Sequence, residues 1–347
     1  MKNIGYRLLK VWIKSGLYLY YGKIRVSGLE NVPKDKAVLF LPNHQGALLD
    51  VLLIAVDCNR KPFFLTRSDV FTKPTLKKFF AYLRMIPIYR IRDGREALKN
   101  NQAVFDQCAE IFKDNHAIVM FPEANHNIKR RVRPLSKGFT RILFNAVERL
   151  PETELYIVPV GLNYRGNSSF PDKVALYYDK NILVNTLYDP KDVQASVNRV
   201  KGKVSDRLKQ LTTHIEDFDN YENIAGQLNR MDVDFLDPFE TNKVIEGLDP
   251  SVKVSDQVRK KGPLRVVADA IFEVLNFPVI LLWRKWAKPK VWEPEFMGTL
   301  RFGFSLLAYP VYYALLFTCI ALFCNSLVAL AVILALFVYN WAYVRRN

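Results

Sequence analysis

The chain of 347 residues is poor in cysteine, histidine and acidic side chains. Its four cysteines and four histidines form no Cys-x-x-Cys pair and no spacing typical of a metal site. We therefore expect a reducing compartment, no metal and no cofactor. The sequence also lacks a Gly-x-Ser-x-Gly elbow and a Gly-rich loop ending in Gly-Lys-Ser/Thr, which disfavours a serine hydrolase and a P-loop nucleotide-binding protein.

Acidic residues are outnumbered, because Lys and Arg total 50 against 34 Asp and Glu, and the formal net charge is +16. The expected partners are therefore anionic. A phosphate-bearing substrate, an anionic lipid headgroup and nucleic acid all meet this condition. Charge alone does not choose among them.

Charge of either sign is absent from residues 302–344. One membrane-spanning helix needs about 20 apolar residues, so the run predicts two spans, at about 302–323 and 326–344, turning near Cys324. By the positive-inside rule we expect both ends of the pair, and the large remainder of the chain, to face the cytoplasm. A buried helical hairpin of a soluble protein is the alternative, and the run argues against a nucleic-acid partner. The flanking cations are Lys288, Lys290, Arg301, Arg345 and Arg346.

Residues 1–25 mix apolar side chains such as Leu8 and Trp12 with six cations and no acid. This pattern predicts a basic amphipathic helix that lies on an anionic lipid surface. Arg7, Lys10 and Lys14 interrupt any apolar core, so a signal peptide is disfavoured. The apolar stretch Val266 to Trp283 contains Asp269 and Glu273, and we expect an interfacial or core helix there.

Short β-like runs alternate with helical patterns through the first two thirds of the chain, which predicts an α/β fold with a mostly parallel central sheet flanked by helices. Residues 26–216 form the predicted catalytic domain, 217–299 a helical insert or linker, and 300–347 the hairpin. The predicted strands are 37–41, 62–65, 86–89, 117–121, 156–160 and 174–178, and the predicted helices are 46–57, 74–83, 95–114, 136–149 and 190–216.

A histidine and a carboxylate follow the apolar run 37–41, in the order His44, Gly46, Asp50. This is where a strand would give way to a helix, with polar side chains facing a cleft. A histidine held by an aspartate can remove a proton from an alcohol, because the carboxylate fixes the ring tautomer and stabilises the imidazolium. A structural turn histidine and an ordinary first-turn acid are the alternative.

Three further blocks follow that pair: Ile86-Pro87-Ile88-Tyr89-Arg90, Phe121-Pro122-Glu123-Ala124-Asn125 and Ile157-Val158-Pro159-Val160-Gly161. Together the four blocks resemble the phospholipid/glycerol acyltransferase family over about residues 20–215. The sequence departs from the family pattern in two places. Five residues separate His44 from Asp50 instead of four, a wider spacing that some glycerol-phosphate acyltransferases of the family share. Ala124 replaces the usual glycine, which is costly if that position needs a positive φ.

The resemblance implies a membrane-bound O-acyltransferase of phospholipid biosynthesis. Its donor would be an acyl thioester of coenzyme A or acyl carrier protein, and its acceptor a hydroxyl of glycerol 3-phosphate or 1-acylglycerol 3-phosphate. His44 would act as general base and Asp50 would orient it. A lysophospholipid remodelling enzyme and a non-catalytic membrane-bound lipid-binding homologue are the alternatives.

The resemblance also implies substrate-binding residues. Arg90 would hold the acceptor phosphate, unless it is a surface arginine. Glu123 would bind the glycerol hydroxyl or order the site, and a structural salt bridge to a nearby arginine is the alternative. Lys137 is a second expected phosphate ligand, with Arg130 and Arg133 nearer the rim, although such charge runs are often simply solvated. His126 is a weaker substrate-binding candidate.

Overall fold

The computed structural model describes residues 2–71, 74–90, 93–250, 252 and 262–346. Its centre is an eight-stranded sheet in the order β1-β7-β6-β2-β5-β3-β4, and β8 pairs with the first half of β6. The pairs that β6 forms with β7 and β8 are antiparallel and the other five pairs are parallel, so the predicted mostly parallel sheet is confirmed. The strands are β1 Tyr21–Ser27, β2 Ala37–Pro42, β3 Phe63–Arg67, β4 Met85–Ile88, β5 Ala117–Val119, β6 Leu155–Tyr164, β7 Asp172–Tyr178 and β8 Ile182–Leu183.

Thirteen helices are found in the described residues. They are α1 Lys2–Tyr20, α2 Leu48–Asp57, α3 Pro74–Tyr82, α4 Arg95–Lys99, α5 Asn101–Lys113, α6 Gly138–Arg149, α7 Val193–Leu211, α8 Tyr221–Met231, α9 Pro238–Glu246, α10 Pro263–Leu275, α11 Phe277–Leu282, α12 Phe296–Phe323 and α13 Ser326–Arg346. The insert predicted over 217–299 is helical in α8 to α11, and its residues 251 and 253–261 lie outside the described residues.

The prediction of one helix over residues 1–25 is wrong at its C-terminal end. Helix α1 ends at Tyr20, and Tyr21–Ser27 runs parallel to β7 as an edge strand of the sheet. Ile24 and Val26 alternate with Lys23 and Arg25, and this period of two suits a strand rather than a helix.

The sheet has a hydrophobic core on each face, and β2 shows why. All six of its residues are buried. Leu39 and Leu41 pack into the core with α5, α6 and α7, whereas Val38 and Phe40 pack into the opposite core with α1 and α2. Burial on both faces explains the continuous apolar run in the sequence, which is typical of a central parallel strand.

Parallel strands place their carboxyl ends at one edge of the sheet, which is where ligands bind in open α/β folds. His44 follows β2, Glu123 follows β5, Arg67 ends β3 and Arg90 follows β4. The connectivity thus brings three predicted site residues, together with Arg67, to the carboxyl ends of four strands.

Helices α12 and α13 are long and apolar enough to cross a membrane by length and composition. Helices α10 and α11, with the residues that continue to Lys290, meet at 83° and together form a bent apolar pair. Helix α1 leaves an apolar face exposed, since Ile4, Leu8 and Val11 each expose more than 60% of their surface. These exposed faces have the composition of a surface that meets lipid.

Candidate active site

His44 and Asp50 are in direct contact. Nδ1 of His44 lies 2.8 Å from Oδ2 of Asp50. Asp50 is fully buried, while His44 exposes 15% of its side chain. In the described residues no contact engages Nε2 of His44, so the carboxylate holds one ring nitrogen and leaves the other for chemistry.

The Asp50 carboxylate is saturated with donors. The backbone N–H groups of Gln45 and Gly46 donate to Oδ2 at 2.9 and 2.8 Å, and the hydroxyl of Tyr164 donates to Oδ1. A buried carboxylate is costly unless its oxygens accept such hydrogen bonds. The orientation of Asp50 is therefore fixed from both sides before any substrate binds.

A loop absorbs the five-residue spacing between His44 and Asp50. Helix α2 begins only at Leu48, so His44 lies outside the helix and the 100° per residue of helical geometry does not apply to the pair. Gly46 makes the loop possible, because a Cβ there would lie 2.6 Å from Oη of Tyr164 and 2.8 Å from Oδ1 of Asp50.

Aromatic rings enclose His44. Phe121, which follows β5, stacks on its ring with centroids 3.9 Å apart. His126 meets the same ring edge-on at 5.6 Å, and its Nε2 lies 2.8 Å from Oε2 of Glu293. Phe296, at the start of α12, packs against His126 at 4.9 Å. The first turn of α12, which lies before the predicted hairpin, therefore forms part of the wall.

Glu123 is buried and pairs with Arg133, whose Nη2 and Nε lie 2.7 and 2.8 Å from Oε2. The salt bridge that the sequence left open as an alternative is thus present. Burial raises the pKa of Glu123 to about 7, against the lowering effect of Arg133. Oε1 of Glu123 has no hydrogen-bond partner in the described part of the chain, and it remains available to a hydroxyl.

Ala124 adopts φ 63°, the left-handed conformation that the family's glycine favours. An alanine there costs about 1–2 kcal/mol. The turn after Glu123 therefore keeps the geometry expected of glycine and carries strain.

Arg90 lies in a network of charges. Its Nη2 contacts Asp69 at 3.0 Å and Asp93 at 3.3 Å, and Arg67 also binds Asp69. Hydrogen bonding to Asp69 raises the pKa of Arg67, and the carboxylate of Glu293 adds to the effect. The charge of Glu293, which contacts His126, therefore acts on this network. Nε and Nη1 of Arg90 have no hydrogen-bond partner among the described residues.

Arg130 differs from the expectation of a phosphate ligand near the rim. Its guanidinium donates to the backbone oxygens of Tyr164 and Arg165 at 2.8 and 2.7 Å and stacks on Phe235 at 3.6 Å. Burial lowers the pKa of Arg130 to about 10. The side chain fastens residues 129–137, the basic loop, to β6 and the insert, because those carbonyls and that ring already engage its guanidinium.

Lys137 is exposed just before α6, and its Nζ lies 3.5 Å from Oε1 of Gln194 on α7. Within the described residues, Lys137 forms no hydrogen bond or ion pair with His44 or Asp50. Arg133, the other predicted rim residue, is engaged by Glu123. The phosphate-binding roles of both residues stay predictions.

Sequence reasoning missed Tyr164, Phe121 as a ring neighbour, and Glu293. Tyr164 stands 114 residues from Asp50, and Glu293 stands 167 from His126. The strand that ends at Tyr164 was predicted, but no local signal shows that its hydroxyl reaches Asp50. Glu293 lies in the segment predicted to be a helical insert or linker, and only the packing of α12 brings it to the site.

His126, Glu293 and Glu295 offer ligand atoms within 4.8 Å of one another. No metal was expected from the sequence, because His126 lies far from the two glutamates along the chain. In the structure Nε2 of His126 lies 2.8 Å from Oε2 of Glu293, and the absence of a metal stays a prediction.

Comparison with known proteins gives a consistent family signal. Residues 23–163 match the family model described as Acyltransferase. The chain is 27% identical over 161 residues to a chloroplastic 1-acyl-sn-glycerol-3-phosphate acyltransferase, BAT2, of Brassica napus, covering 44% of each. It is 24% identical over 185 residues to a 1-acyl-sn-glycerol-3-phosphate acyltransferase of Borreliella burgdorferi, covering 53% of this chain and 65% of that protein.

A glycerol-3-phosphate O-acyltransferase of Saccharomyces cerevisiae is 26% identical over 161 residues, which cover 46% of this chain and 20% of the yeast protein. The chain thus spans less than two thirds of the length of these curated relatives. Among solved structures, the 1-acyl-sn-glycerophosphate acyltransferase PlsC of Thermotoga maritima matches with a TM-score of 0.40 and 20% identity, over 58% of this chain and 79% of that one.

Proposed function

Since residues 23–163 match the family model described as Acyltransferase, we propose that the protein is a membrane-bound O-acyltransferase of phospholipid biosynthesis. It moves a fatty acyl group from an acyl thioester to a hydroxyl of a glycerol-phosphate acceptor. The observation that carries this proposal is the contact of 2.8 Å between His44 Nδ1 and the buried Asp50 carboxylate.

The reaction begins at the free nitrogen of His44. Nε2 takes the proton of the acceptor hydroxyl while the hydroxyl oxygen attacks the thioester carbonyl. The tetrahedral intermediate collapses, the C–S bond breaks, and the imidazolium returns the proton to the departing thiolate. Asp50 keeps the proton on Nδ1 at the start and stabilises the imidazolium between the two steps. No covalent acyl-enzyme is needed.

The acceptor phosphate binds at the Arg90 side of the site. Arg90 retains two guanidinium nitrogens without partners among the described residues, and a planar guanidinium suits two phosphate oxygens. Glu123 Oε1 accepts from a glycerol hydroxyl. Backbone N–H groups in the first turn of α2 would donate to the oxyanion, because they lack intrahelical partners. Gln45 and Gly46 are excluded because their N–H groups already bind Asp50.

The membrane part of the proposal rests on α12, α13 and the basic helix α1. The hairpin crosses the bilayer, α1 lies on its anionic surface, and the catalytic domain faces the cytoplasm, where the flanking cations belong. An acyl donor on coenzyme A or acyl carrier protein then arrives from water, and lipid substrates arrive from the bilayer.

The test is a radiolabelled acyl-transfer assay on purified protein in lipid. It combines glycerol 3-phosphate, 1-acylglycerol 3-phosphate and a larger-headgroup lysophospholipid with acyl donors on coenzyme A and on acyl carrier protein. Turnover with a phosphorylated glycerol acceptor is expected, and His44→Ala should lower it by about 10² to 10⁴, the usual contribution of a general base.

His116→Ala is the matched control, because His116 precedes β5 and so lies at the opposite edge of the sheet. It should retain activity. Near-normal turnover by His44→Ala would refute the mechanism. A protein that binds these lipids but transfers no acyl group with any donor would be the non-catalytic homologue.

A further inference from the structure

A groove of about 360 Å³ lies between α1 and the hairpin helices α12 and α13, a volume typical of ligand sites. Aromatic and aliphatic side chains dominate its walls, including Trp12, Leu306, Tyr309, Phe337 and Trp341. Trp12, Phe337 and Trp341 expose 44%, 40% and 41% of their surface, so the groove is open to the outside. Most of its wall belongs to helices outside the residues that match the family model.

One end of the groove is formed by Tyr20, whose hydroxyl faces the guanidinium of Arg301 in a contact that falls short of a regular hydrogen bond. Tyr20 exposes only 6% of its surface, yet its hydroxyl has no regular hydrogen-bond partner in the described part of the chain. Burial raises the pKa of Tyr20 to about 12, and the charge of Arg301 opposes this effect. Nη1 of Arg301 is also buried and unpartnered among the described residues. Such groups cost free energy unless a ligand completes them.

The far end is different. There Asn340 donates to the hydroxyl of Tyr313 at 2.9 Å and exchanges hydrogen bonds with Asn276 at 2.8 and 2.9 Å. These polar groups satisfy one another. The groove therefore has one end whose polar groups are incompletely satisfied and an opposite end whose polar groups are paired, which suits a molecule with a polar head and an apolar tail.

Helix α12 connects the groove to the catalytic loop. Thr299 donates to the backbone oxygen of Gly46 at 3.2 Å, and Gly298 packs closely against Leu49. Phe302, one turn further, lines the groove and contacts the ring of Tyr20 at 5.5 Å. From Phe302 to Tyr313 the helix rises about 17 Å. That length is close to the hydrocarbon of one leaflet, about 15 Å.

We propose that this groove binds the acyl chain of a lysophospholipid acceptor, with the ester end of the chain at Tyr20 and Arg301 and the glycerol hydroxyl at His44. The inference rests on the proposed acyl transfer and narrows its acceptor to a lipid that already carries one chain. Glycerol 3-phosphate would leave the groove empty.

The direction of entry favours the acceptor over the donor. An acyl thioester travels on a large, water-soluble carrier and reaches the cleft from the aqueous side. A lysophospholipid resides in the bilayer, and a groove that opens between two hairpin helices and an interfacial helix admits its chain sideways. The tail then never leaves an apolar environment, which avoids the cost of exposing it to water.

The proposal is tested by substitutions that fill the groove with a bulky side chain. Ser305 lines it on α12, and Ser305→Trp places a bulky ring in the path of the chain. Leu307→Trp makes the same substitution on the same helix at a side chain that is 62% exposed and outside the groove lining. Specificity constants are measured in lipid nanodiscs for 1-acylglycerol 3-phosphates of short, medium and long chain with one donor.

Ser305→Trp should lower kcat/KM for the long-chain acceptor by about tenfold or more, equal to about 1.4 kcal/mol, and leave the short-chain acceptor unchanged. Leu307→Trp should behave as the native protein. Ser15→Phe, on the opposite wall, gives the same pattern and serves if Ser305→Trp fails to fold.

Three results would overturn the inference. They are equal losses at all acceptor lengths, no loss in the groove variants, or a loss that follows the length of the donor chain when the acceptor is fixed. Native protein that acylates glycerol 3-phosphate but no lysophospholipid would also overturn it while leaving the proposed function intact. Failure of the proposed function looks different, because His44→Ala would then match the native protein with every acceptor.

Discussion

At the residue scale, Asp50 shows how much of the site the sequence could reveal. The His44–Asp50 pair could be predicted, because both residues lie in one short segment after an apolar strand. The hydroxyl that completes Asp50 could not, since Tyr164 reaches it only after β6 has paired with β2. A contact across 114 residues leaves no periodic trace in the sequence.

Tyr164→Phe tests that hydroxyl. Removing a buried donor to a carboxylate is expected to cost about 1–3 kcal/mol of stability. Turnover should also fall by roughly tenfold, because Asp50 and hence His44 lose part of their fixed orientation. Thermal unfolding and acyl-transfer kinetics of the purified variant measure the two effects.

Tyr178→Phe is the matched control for that experiment. Tyr178 is also a buried tyrosine of the sheet, but its hydroxyl has no hydrogen-bond partner in the described residues. Its loss should change neither property appreciably. Equal effects of the two substitutions would mean that ring packing, rather than the bond to Asp50, is what the site requires.

At the element scale, the position of α7 depends on a missing side chain in β6. A Cβ at Gly161 would lie 2.2 Å from the backbone oxygen of Leu211, the last residue of α7. Asn163 of the same strand donates to that oxygen at 2.8 Å. The fourth sequence block therefore ends in glycine for a packing reason.

Gly161→Ala is expected to destabilise the protein by about 1–3 kcal/mol through overpacking. Gly202→Ala lies within α7, where an added methyl group would meet no other atom within 4 Å, and it should instead stabilise the protein by about 0.5–1 kcal/mol. Thermal unfolding of the two variants checks this, and their unfolding midpoints should shift in opposite directions. If Gly161→Ala were as stable as the native protein, the C-terminal end of α7 could shift at no cost to accommodate the methyl group.

The basic loop is held by a neutral histidine that follows α7. Val132 donates its N–H to Nδ1 of His214 at 3.0 Å, so that nitrogen must carry a lone pair. Burial lowers the pKa of His214, although Glu216 at Nε2 opposes the shift. The neutral ring thus joins the loop to the segment that leads into the insert.

The pH dependence follows from this lowered pKa. The unfolded chain binds the proton more readily, so the contribution is fully present above about 6.5, the ordinary histidine value, and declines as the pH falls below it. Unfolding midpoints measured across this range should fall more steeply with acid in the native protein than in His214→Gln, which cannot ionise. Parallel curves would exclude His214 as the titrating group.

Element boundaries were predictable where packing agreed with pattern. The strands β2 and β5, helix α13 and the C-terminal end of α12 lie where the sequence placed them. The error at β1 arose because residues 21–25, which adjoin a helix, were predicted to continue it, although their alternation has period two. The early start of α12 at Phe296 was not predictable, since the residues before 302 fold onto the site and their role depends on tertiary contacts.

At the scale of the whole molecule, the proposed topology places the turn at Cys324 across the membrane from the catalytic domain. Cys58 and Cys108 are buried, and Cys319 and Cys324 are exposed. In a Cys319→Ser background, a membrane-impermeant maleimide should therefore label Cys324 only from the side opposite the active site. The measurement is the labelling of Cys324 in sealed right-side-out vesicles and in sealed inside-out vesicles.

Lys113→Cys, added to the same background, supplies the reference. Lys113 is an exposed residue at the end of α5, in the catalytic domain, and should be labelled from the other side. If both positions react from one side, the hairpin dips into a single leaflet instead of crossing.

The two ends of the described chain meet: a Cβ at Gly22 in β1 would lie 2.4 Å from the backbone oxygen of Val344 in α13. The edge strand is therefore shielded only after the final helix has been synthesised. A nascent chain on the ribosome would expose β1 throughout translation of the sheet, and sheet edges invite pairing with other chains. Under the proposed topology, completion of this sheet edge is in this way coupled to synthesis of the membrane hairpin.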